Sequence, residues 1–200
     1  MTPFRIMIAA AAVTMTALPA FAEKLSLNAI SQYLNKLDTA KAQFTQINDD
    51  GTISTGTIFL KRPGRARFEY NPPTDALVVA GGSQVAIFDG KSNAGPQQYP
   101  LKRTPLSLIL AKDVNLSQAK MVVGHTYDGT ATTVVAQDPE NPEIGTIALK
   151  FTDSPTELRQ WIITDNAGSQ TTVILGELTT GGALKSSLFS ITAAIKERAR

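Results

Sequence analysis

The side chains that could carry out covalent or metal chemistry are few in this sequence. Among its 200 residues there is no cysteine and a single histidine, His125. These counts exclude disulfides, thiolate nucleophiles, thiolate metal sites and zinc sites built from several histidines. The sequence also lacks the G-x-S-x-G segment of a serine hydrolase, and it offers only His125 as a histidine base. We therefore expect no catalytic residue and no metal.

The remaining polar candidates lie where structural roles are usual. His125 lies in the alternating segment MVVGHTYDG, close to a predicted hairpin, and we expect it to be structural, with a catalytic base as the alternative. The carboxylate pairs Asp49/Asp50 and Glu140/Glu143 fall on predicted turns and loops, where solvated carboxylates are common. A calcium or acid–base role for them is the alternative. No G-x-x-x-x-G-K-[ST] phosphate loop is present, so we expect no nucleotide cofactor.

Composition and charge describe a globular chain. Hydrophobic residues make up 42% of the sequence and charged residues 18%, which is typical of a folded domain with a packed core. The net charge of +2 is too small to attract a nucleic-acid backbone without a clustered basic face. We expect one domain and no nucleic-acid partner.

The first 22 residues have the pattern of a cleavable signal peptide. A single positive charge, Arg5, precedes an apolar run from Ile6 to Leu18, and Ala20-Phe21-Ala22 forms a small-x-small cleavage site. A transmembrane anchor is the alternative, but a run this short falls below the roughly 20 residues that a bilayer requires. We therefore predict an exported, periplasmic protein whose single domain covers residues 23–200.

Two helices are predicted. In the first, residues 26–37, Ser26 is a suitable N-cap and apolar residues recur at helical spacing. The second is the short segment TPLSLILA (104–111), whose threonine and proline suit the start of a helix. Because this second helix is nearly all apolar, it must pack against or inside a sheet.

The rest of the chain is predicted to be β-structure. Eleven short segments rich in Val, Ile, Thr and Phe read as strands, the last of them SLFSIT (187–192), while residues 91–103 read as a loop. Tight turns that favour glycine separate several neighbouring strands: Asp49-Asp50-Gly51, Gly81-Gly82-Ser83, Asp128-Gly129 and Asp165-Asn166-Ala167-Gly168. Neighbouring strands should therefore pair antiparallel. We predict an α+β fold, an incomplete (open) antiparallel β-barrel of about eleven strands with short helices at its mouth.

Five motifs occur in order along the chain. They are FTQ (44–46), GTIFLKRPGRARFEYNPP (56–73), VVAGG (78–82), IFDG (87–90) and TPLSLIL (104–110). Taken together, behind a signal-peptide pattern and in a cysteine-free chain, these motifs resemble the LolA family of periplasmic outer-membrane lipoprotein carriers. The turn at residues 165–168 and Phe189 extend the resemblance toward the C-terminus.

The resemblance implies a carrier without enzymatic activity or cofactor, in which a helical lid, here the TPLSLIL helix, covers an apolar cavity. Family members take triacylated lipoproteins from an ATP-driven, ABC-type inner-membrane complex and pass the acyl chains to an outer-membrane acceptor. By this similarity Arg62, in the Arg62-Pro63 turn, is the gating residue, which bonds the lid backbone in the empty protein and releases it on loading. A turn arginine facing water is the alternative. We expect a monomer.

Apolar residues of the first helix, the strands and the lid are the candidates for the acyl-chain cavity. They are Ile30, Leu34, Phe44, Phe59, Phe68, Leu106, Ile109 and Leu110. Each could equally belong to ordinary core, because cavity walls and cores have the same composition. Three features depart from the family pattern: Ala66 replaces a large aromatic residue, Gly81-Gly82 replaces an Asp-Gly hairpin, and the tail ITAAIKERAR (191–200) lacks a Pro-Gly ending.

The leading hypothesis is a periplasmic chaperone that binds the acyl chains of lipoproteins released from the inner membrane and carries them to the outer membrane. The alternatives are a module of the same fold that carries another amphiphile, such as a phospholipid or a glycolipid, or that senses mislocalised lipoproteins. A periplasmic hydrolase dependent on His125 is a third possibility.

Overall fold

The computed structural model of the protein describes residues 23–90, 95–118 and 120–199. The predicted signal peptide, residues 1–22, lies outside the described residues. The α-helices are α1 (Leu27–Lys36), α2 (Leu106–Leu110) and α3 (Ile191–Arg198). The strands are β1 (Thr39–Ile47), β2 (Ile53–Lys61), β3 (Arg65–Tyr70), β4 (Leu77–Gly81), β5 (Gln84–Phe88), β6 (Gln97–Pro100), β7 (Val122–Tyr127), β8 (Thr132–Gln137), β9 (Thr146–Asp153), β10 (Thr156–Thr164), β11 (Gln170–Leu175) and β12 (Thr179–Thr180). Short 3-10 helices cover Leu101–Arg103, Pro142–Ile144 and Ser186–Phe189.

The strands form one open antiparallel sheet. Their order is β6-β5-β4-β3-β2-β1-β11-β10-β9-β8-β7, with the short β12 paired to β1. The strands β6 and β7 follow one another in the chain, yet they lie at opposite edges of the sheet. The described part of the connection between them, residues 101–118 and 120–121, therefore lies across the gap that leaves the barrel incomplete, and it carries α2. The predicted open barrel with helices at its mouth is confirmed.

Helix α1 forms where the sequence predicts it. The hydroxyl oxygen of Ser26 accepts a hydrogen bond from the Ala29 N–H at 3.1 Å and so caps the helix. Ile30 and Leu34, one turn apart, are almost fully buried against the sheet. The spacing of these two side chains is therefore that of a helix with one apolar face.

The predicted Gly81-Gly82-Ser83 turn joins β4 to β5. Gly82 and Ser83 both have positive φ, +57° and +63°, which is the backbone of the tight hairpins that suit a right-handed sheet twist. At Gly81 a Cβ atom would collide with the carbonyl group of Phe189, so glycine allows the C-terminal chain to pack directly on β4. The departure from the family's Asp-Gly pattern thus coincides with a close approach of two chain segments.

The two faces of the sheet are covered by different helices. The inner face packs against α1 and α2 around the larger core. On the outer face, Ala194 of α3 packs against a smaller cluster formed by β4 and β5: Leu77, Val79, Ala86 and Phe88. Residues along β4 alternate between these clusters, as a strand buried on both faces requires.

Two sequence predictions about strands are wrong. The segment SLFSIT (187–192) is a 3-10 turn followed by the start of α3, because the hydroxyl oxygen of Ser190 accepts from the Ala193 N–H at 3.2 Å and caps that helix. Within the predicted loop 91–103, residues 97–100 form β6, which extends the sheet by pairing with β5. Residues 97–100 become a strand through pairing with β5, whereas the start of α3 is set by a local cap.

Candidate functional site

Arg62 lies in the turn between β2 and β3, within a tripeptide that we call the RPG turn (62–64). Its side chain does not face water, since the residue is 9% exposed, whereas Pro63 is exposed. The guanidinium Nη2 donates to the carbonyl oxygen of Ala111 at 2.6 Å and to that of Lys112 at 3.5 Å. Its Nε also donates to the Ala111 oxygen, at 3.2 Å. The arginine therefore contacts the two residues that follow α2.

The RPG turn makes a third contact with the lid. The N–H of Gly64 donates to the carbonyl oxygen of Leu110 at 2.8 Å. The carbonyl groups at the end of an α-helix have no partner within the helix, and they carry partial negative charge. The turn thus supplies donors to three consecutive carbonyls, those of Leu110, Ala111 and Lys112, and one of the donors is a cation.

Burial lowers the pKa of the Arg62 guanidinium below its ordinary value, while the nearby carboxylates of Asp38 and Asp113 oppose that shift. Arginine nonetheless keeps its proton in proteins. The group closest to the guanidinium is a neutral main-chain carbonyl, not a carboxylate. A buried cation held in this way is stable only while those carbonyls stay in place.

Asn35 of α1 completes the attachment of the lid, and sequence reasoning missed it. Its Oδ1 accepts from the Val114 N–H at 2.8 Å, and its Nδ2 donates to the Val114 carbonyl at 2.9 Å. The Nη2 of Arg62 also donates to Oδ1, at 3.3 Å. No sequence signal identifies this residue, because its partner Val114 lies 79 positions away along the chain.

A cavity of about 250 Å³ lies between α1, α2 and the inner face of β8 and β9. Of the residues predicted to line an acyl-chain cavity, Leu34 and Ile109 line this one. The remainder of the wall is mostly apolar, with carboxylates and amides among the lining residues: Ser107, Leu108, Ala111, Asp113, Val114, Leu116, Gln118, Met121, Ala136, Asp138, Pro139, Glu140 and Leu149.

Most of the other predicted cavity residues lie in the filled part of the inner core. Phe44 and Phe68 meet edge to face with their ring centroids 5.7 Å apart, and Phe68 meets Trp161 in the same way at 6.3 Å. Ile30, Leu106 and Leu110 are buried in the same core. None of these side chains lines the cavity.

The structure places Phe59 on the other face of the sheet. It is half-buried between Ile58 and Leu60, which are 2% and 3% exposed, and the Lys41 Nζ lies 5.5 Å from its ring centroid. Since side chains alternate along a strand, Ile58 and Leu60 are the ones that face the inner core.

His125 and Asp50 have structural contacts. The Nε2 of His125 is 2.9 Å from the carbonyl oxygen of Leu25. The carboxylate of Asp50 accepts from the N–H and the hydroxyl of Thr52 within its turn. Across residues 23–90, 95–118 and 120–199, no group of three or more His, Cys, Asp or Glu side chains could hold a metal ion. Within the same ranges, no helix has the length and apolar character needed to cross a membrane.

Comparisons with known proteins identify the family of this fold. The family model described as "Outer membrane lipoprotein carrier protein LolA" matches residues 35–192. An outer-membrane lipoprotein carrier protein of Coxiella burnetii is 26% identical over 80% of this chain and 79% of its own length. Its counterpart from Azotobacter vinelandii is 25% identical over 86% of this chain and 85% of its own length.

A solved structure of a LolA superfamily protein from Nitrosomonas europaea is also similar, with a TM-score of 0.44 at 9% identity, and covers 83% of this chain and 98% of that one. The family model covers well over half of the chain and includes the RPG turn, α2 and the last two residues of α1, Asn35 and Lys36. We conclude that this protein belongs to the LolA family of outer membrane lipoprotein carrier proteins.

Proposed function

We propose that this protein is a periplasmic chaperone that receives lipoprotein acyl chains at the inner membrane and delivers them to the outer membrane. The observation that carries the proposal is the attachment of the lid, in which Arg62 bonds the carbonyls that follow α2 beside an apolar cavity. Membership of a carrier family, which is not an enzyme family, supports the same role.

An acyl chain needs such a container because its exposure to water is costly. Each methylene removed from water contributes about 0.8 kcal/mol, so a triacylated lipoprotein in free solution would aggregate or insert into the nearest bilayer. The cavity of about 250 Å³ is too small for three acyl chains of ordinary length. Loading therefore requires the lid and the residues that follow it to move away from the sheet.

Unloading requires a closed state that competes with the loaded one. A ligand shifts a conformational equilibrium only by its difference in affinity for the two states. The hydrogen bonds of Arg62 to Ala111 and Lys112 exist while the lid is closed, and they favour the return of the lid to that position. In this account the carrier receives its cargo from an ABC-type inner-membrane complex and yields it to an outer-membrane acceptor, while its own hydrogen bonds favour release.

A release assay tests the proposal. Inner-membrane vesicles that contain the ATP-driven complex and a labelled triacylated lipoprotein are incubated with the purified chain, with and without ATP. The proposal predicts that the lipoprotein appears in the supernatant as a complex with one copy of the chain, and only with ATP. Capture of phospholipid or glycolipid in place of lipoprotein would reassign the cargo, and ester hydrolysis that is lost in a His125→Ala variant would overturn the carrier role.

A further inference from the structure

Asn35 connects the two parts of the lid attachment. Through Nδ2 and Oδ1 it bonds both main-chain groups of Val114, at 2.9 and 2.8 Å. The same Oδ1 accepts from the Nη2 of Arg62 at 3.3 Å. The Asn35 amide thus binds Val114, in the segment that follows the lid. The same amide also contacts Arg62, which binds the end of the lid.

The orientation of the amide is determined by these partners. A carbonyl oxygen can only accept, so the nitrogen of the amide must face the Val114 carbonyl and the oxygen must face the Val114 N–H. The oxygen is then also the atom available to the guanidinium, which can only donate. The three hydrogen bonds are mutually consistent in one arrangement, and this arrangement requires α1, Val114 and Arg62 to be in place together.

A neighbouring serine supplies a natural comparison. Ser31 lies one turn before Asn35 on α1, and its Oγ accepts from the Leu116 N–H at 3.0 Å and donates to the Leu27 carbonyl at 2.7 Å. Four residues of helix rise about 6 Å, close to the span of two extended residues. Asn35 and Ser31 therefore bind the same segment in register, but the hydrogen bonds of Ser31 do not extend to Arg62.

The cavity lies directly beside this attachment. Leu34, next to Asn35 in α1, lines the cavity, and so do Val114 and Leu116. A chain that enters the cavity must displace these apolar walls, and displacement of Val114 or of α1 stretches the hydrogen bonds of Asn35. Loss of those bonds leaves the N–H of Val114, a residue that is 6% exposed, without its partner, which makes partial opening costly.

We propose that Asn35 is a second gating residue, which couples occupancy of the cavity to the hydrogen bonds of Arg62. This inference rests on the proposed carrier function for its cargo, but the coupling itself is a property of the empty protein. In the closed protein Arg62 and Asn35 act as one unit. When an acyl chain displaces Leu34 and Val114, Asn35 loses its hydrogen bonds to Val114. Arg62 then loses Asn35 Oδ1 as an acceptor, so the lid is released as a whole.

Amide hydrogen exchange of residues 106–116 in the empty protein tests the coupling without any cargo. We expect Asn35→Ala to raise the opening equilibrium constant of this segment about tenfold, as loss of two or three hydrogen bonds implies. In an Arg62→Leu background, Asn35→Ala should raise the opening equilibrium constant by less than a further twofold, because the two residues act as one unit. Asn35→Asp, which keeps the acceptor for Val114 and Arg62, should open the segment less than Asn35→Ala does.

Ser31→Ala is the matched control. Its effect on the opening equilibrium constant should multiply with the effect of Arg62→Leu, as expected for independent residues. If the effects of Asn35→Ala and Arg62→Leu also multiply, Asn35 is only a structural contact and the inference fails. Unchanged exchange in Asn35→Ala would overturn it as well.

A synthetic triacylated lipopeptide then separates this inference from the proposed function. We expect Asn35→Ala to prolong retention of the bound lipopeptide about tenfold, as Arg62→Leu does, while Ser31→Ala changes it less than twofold. Normal retention in Asn35→Ala would contradict the gating role while leaving the carrier function intact. If no variant binds the lipopeptide, the proposed function fails, and the exchange data still decide whether Asn35 and Arg62 are coupled.

Discussion

The Nη2 of Arg62 lies 2.6 Å from the carbonyl oxygen of Ala111, the C-cap residue of helix α2. The cation therefore acts as a C-terminal cap for a helix that belongs to a distant part of the chain. A guanidinium suits this task because it stays charged and offers five donors in a fixed plane. The same turn supplies the Gly64 N–H to Leu110, so the Arg-Pro-Gly sequence has a structural explanation in the attachment of the lid.

The geometry of the guanidinium should matter as well as its charge. A lysine at position 62 has one nitrogen in place of the guanidinium Nε and Nη2, so it cannot make the paired hydrogen bonds that these two atoms donate to the Ala111 oxygen. We expect the rate of lipoprotein transfer to acceptor-containing outer-membrane vesicles to fall in the order wild type, Arg62→Lys, Arg62→Leu. Each charge-assisted bond contributes about 1.5–3 kcal/mol, so Arg62→Leu should slow transfer tenfold or more. Equal transfer rates for wild type and Arg62→Leu would contradict the gating role of Arg62.

Filling the cavity should weaken cargo binding. Ala136 of β8 lines the cavity and is 1% exposed. In Ala136→Leu the larger side chain displaces about two methylenes of a bound acyl chain and should weaken lipopeptide affinity about tenfold. Val135→Leu, on the opposite face of the same strand, is the control and should bind normally. Titration of both variants with lipopeptide measures the two affinities. Unchanged affinity in Ala136→Leu would place the acyl site elsewhere.

Helix α3 should contribute to stability through the outer face. Ala194 is 1% exposed against β4 and β5, and most of α3 lies beyond the residues that the family model matches. A carboxylate placed there would be buried without a partner, so Ala194→Glu should lower the free energy of unfolding by about 2 kcal/mol or more. The exposed Ala193 provides the control, because Ala193→Glu should change the free energy of unfolding by less than about 0.5 kcal/mol. Urea unfolding of both variants measures the difference.

Asp128 should contribute to stability in a pH-dependent way. Its carboxylate accepts from the Lys150 Nζ at 2.9 Å and from Thr130 and Ala131, and these bonds hold the pKa of Asp128 well below its usual range. A carboxyl whose pKa is depressed by folding stabilises the protein above its unfolded pKa, and that stabilisation is lost as pH falls toward the folded pKa.

The difference in unfolding free energy between wild type and Asp128→Asn should therefore be constant above about pH 5 and shrink below about pH 4. Glu177→Gln, which alters an exposed carboxylate, serves as the control. A difference between wild type and Asp128→Asn that stays constant down to pH 2 would contradict this assignment.

Local sequence patterns were enough to predict α1, the strands between residues 40 and 178 apart from β6, and the position of the RPG turn. They failed where consecutive residues are all apolar, because such a run does not show which side chains face the inner side of the sheet. In Ile58-Phe59-Leu60 all three side chains are apolar, and only pairing in the sheet determines that Phe59 lies on the outer face. The segment SLFSIT alternates like a strand, but Ser190 caps α3 there.

The candidate site was only partly predictable for a related reason. Arg62 stands out through its motif, whereas Asn35 acts through Val114, a partner that no local pattern reveals. The cavity lies against β8 and β9, while the aromatic side of the barrel is filled by Phe44, Phe68 and Trp161. Both regions are built mainly from apolar side chains, so only the packing shows where space remains.

The most direct test of the account is native mass spectrometry, with lipid analysis, of the Arg62→Leu variant captured from the periplasm of its native cell. The variant lacks the bonds that favour the closed state, so the account predicts a trapped load of triacylated lipoprotein, with less load on the wild-type protein. A load of phospholipid or glycolipid would keep the cavity but contradict the proposed cargo. An empty Arg62→Leu protein would contradict both the cavity as an acyl-chain site and Arg62 as its gate.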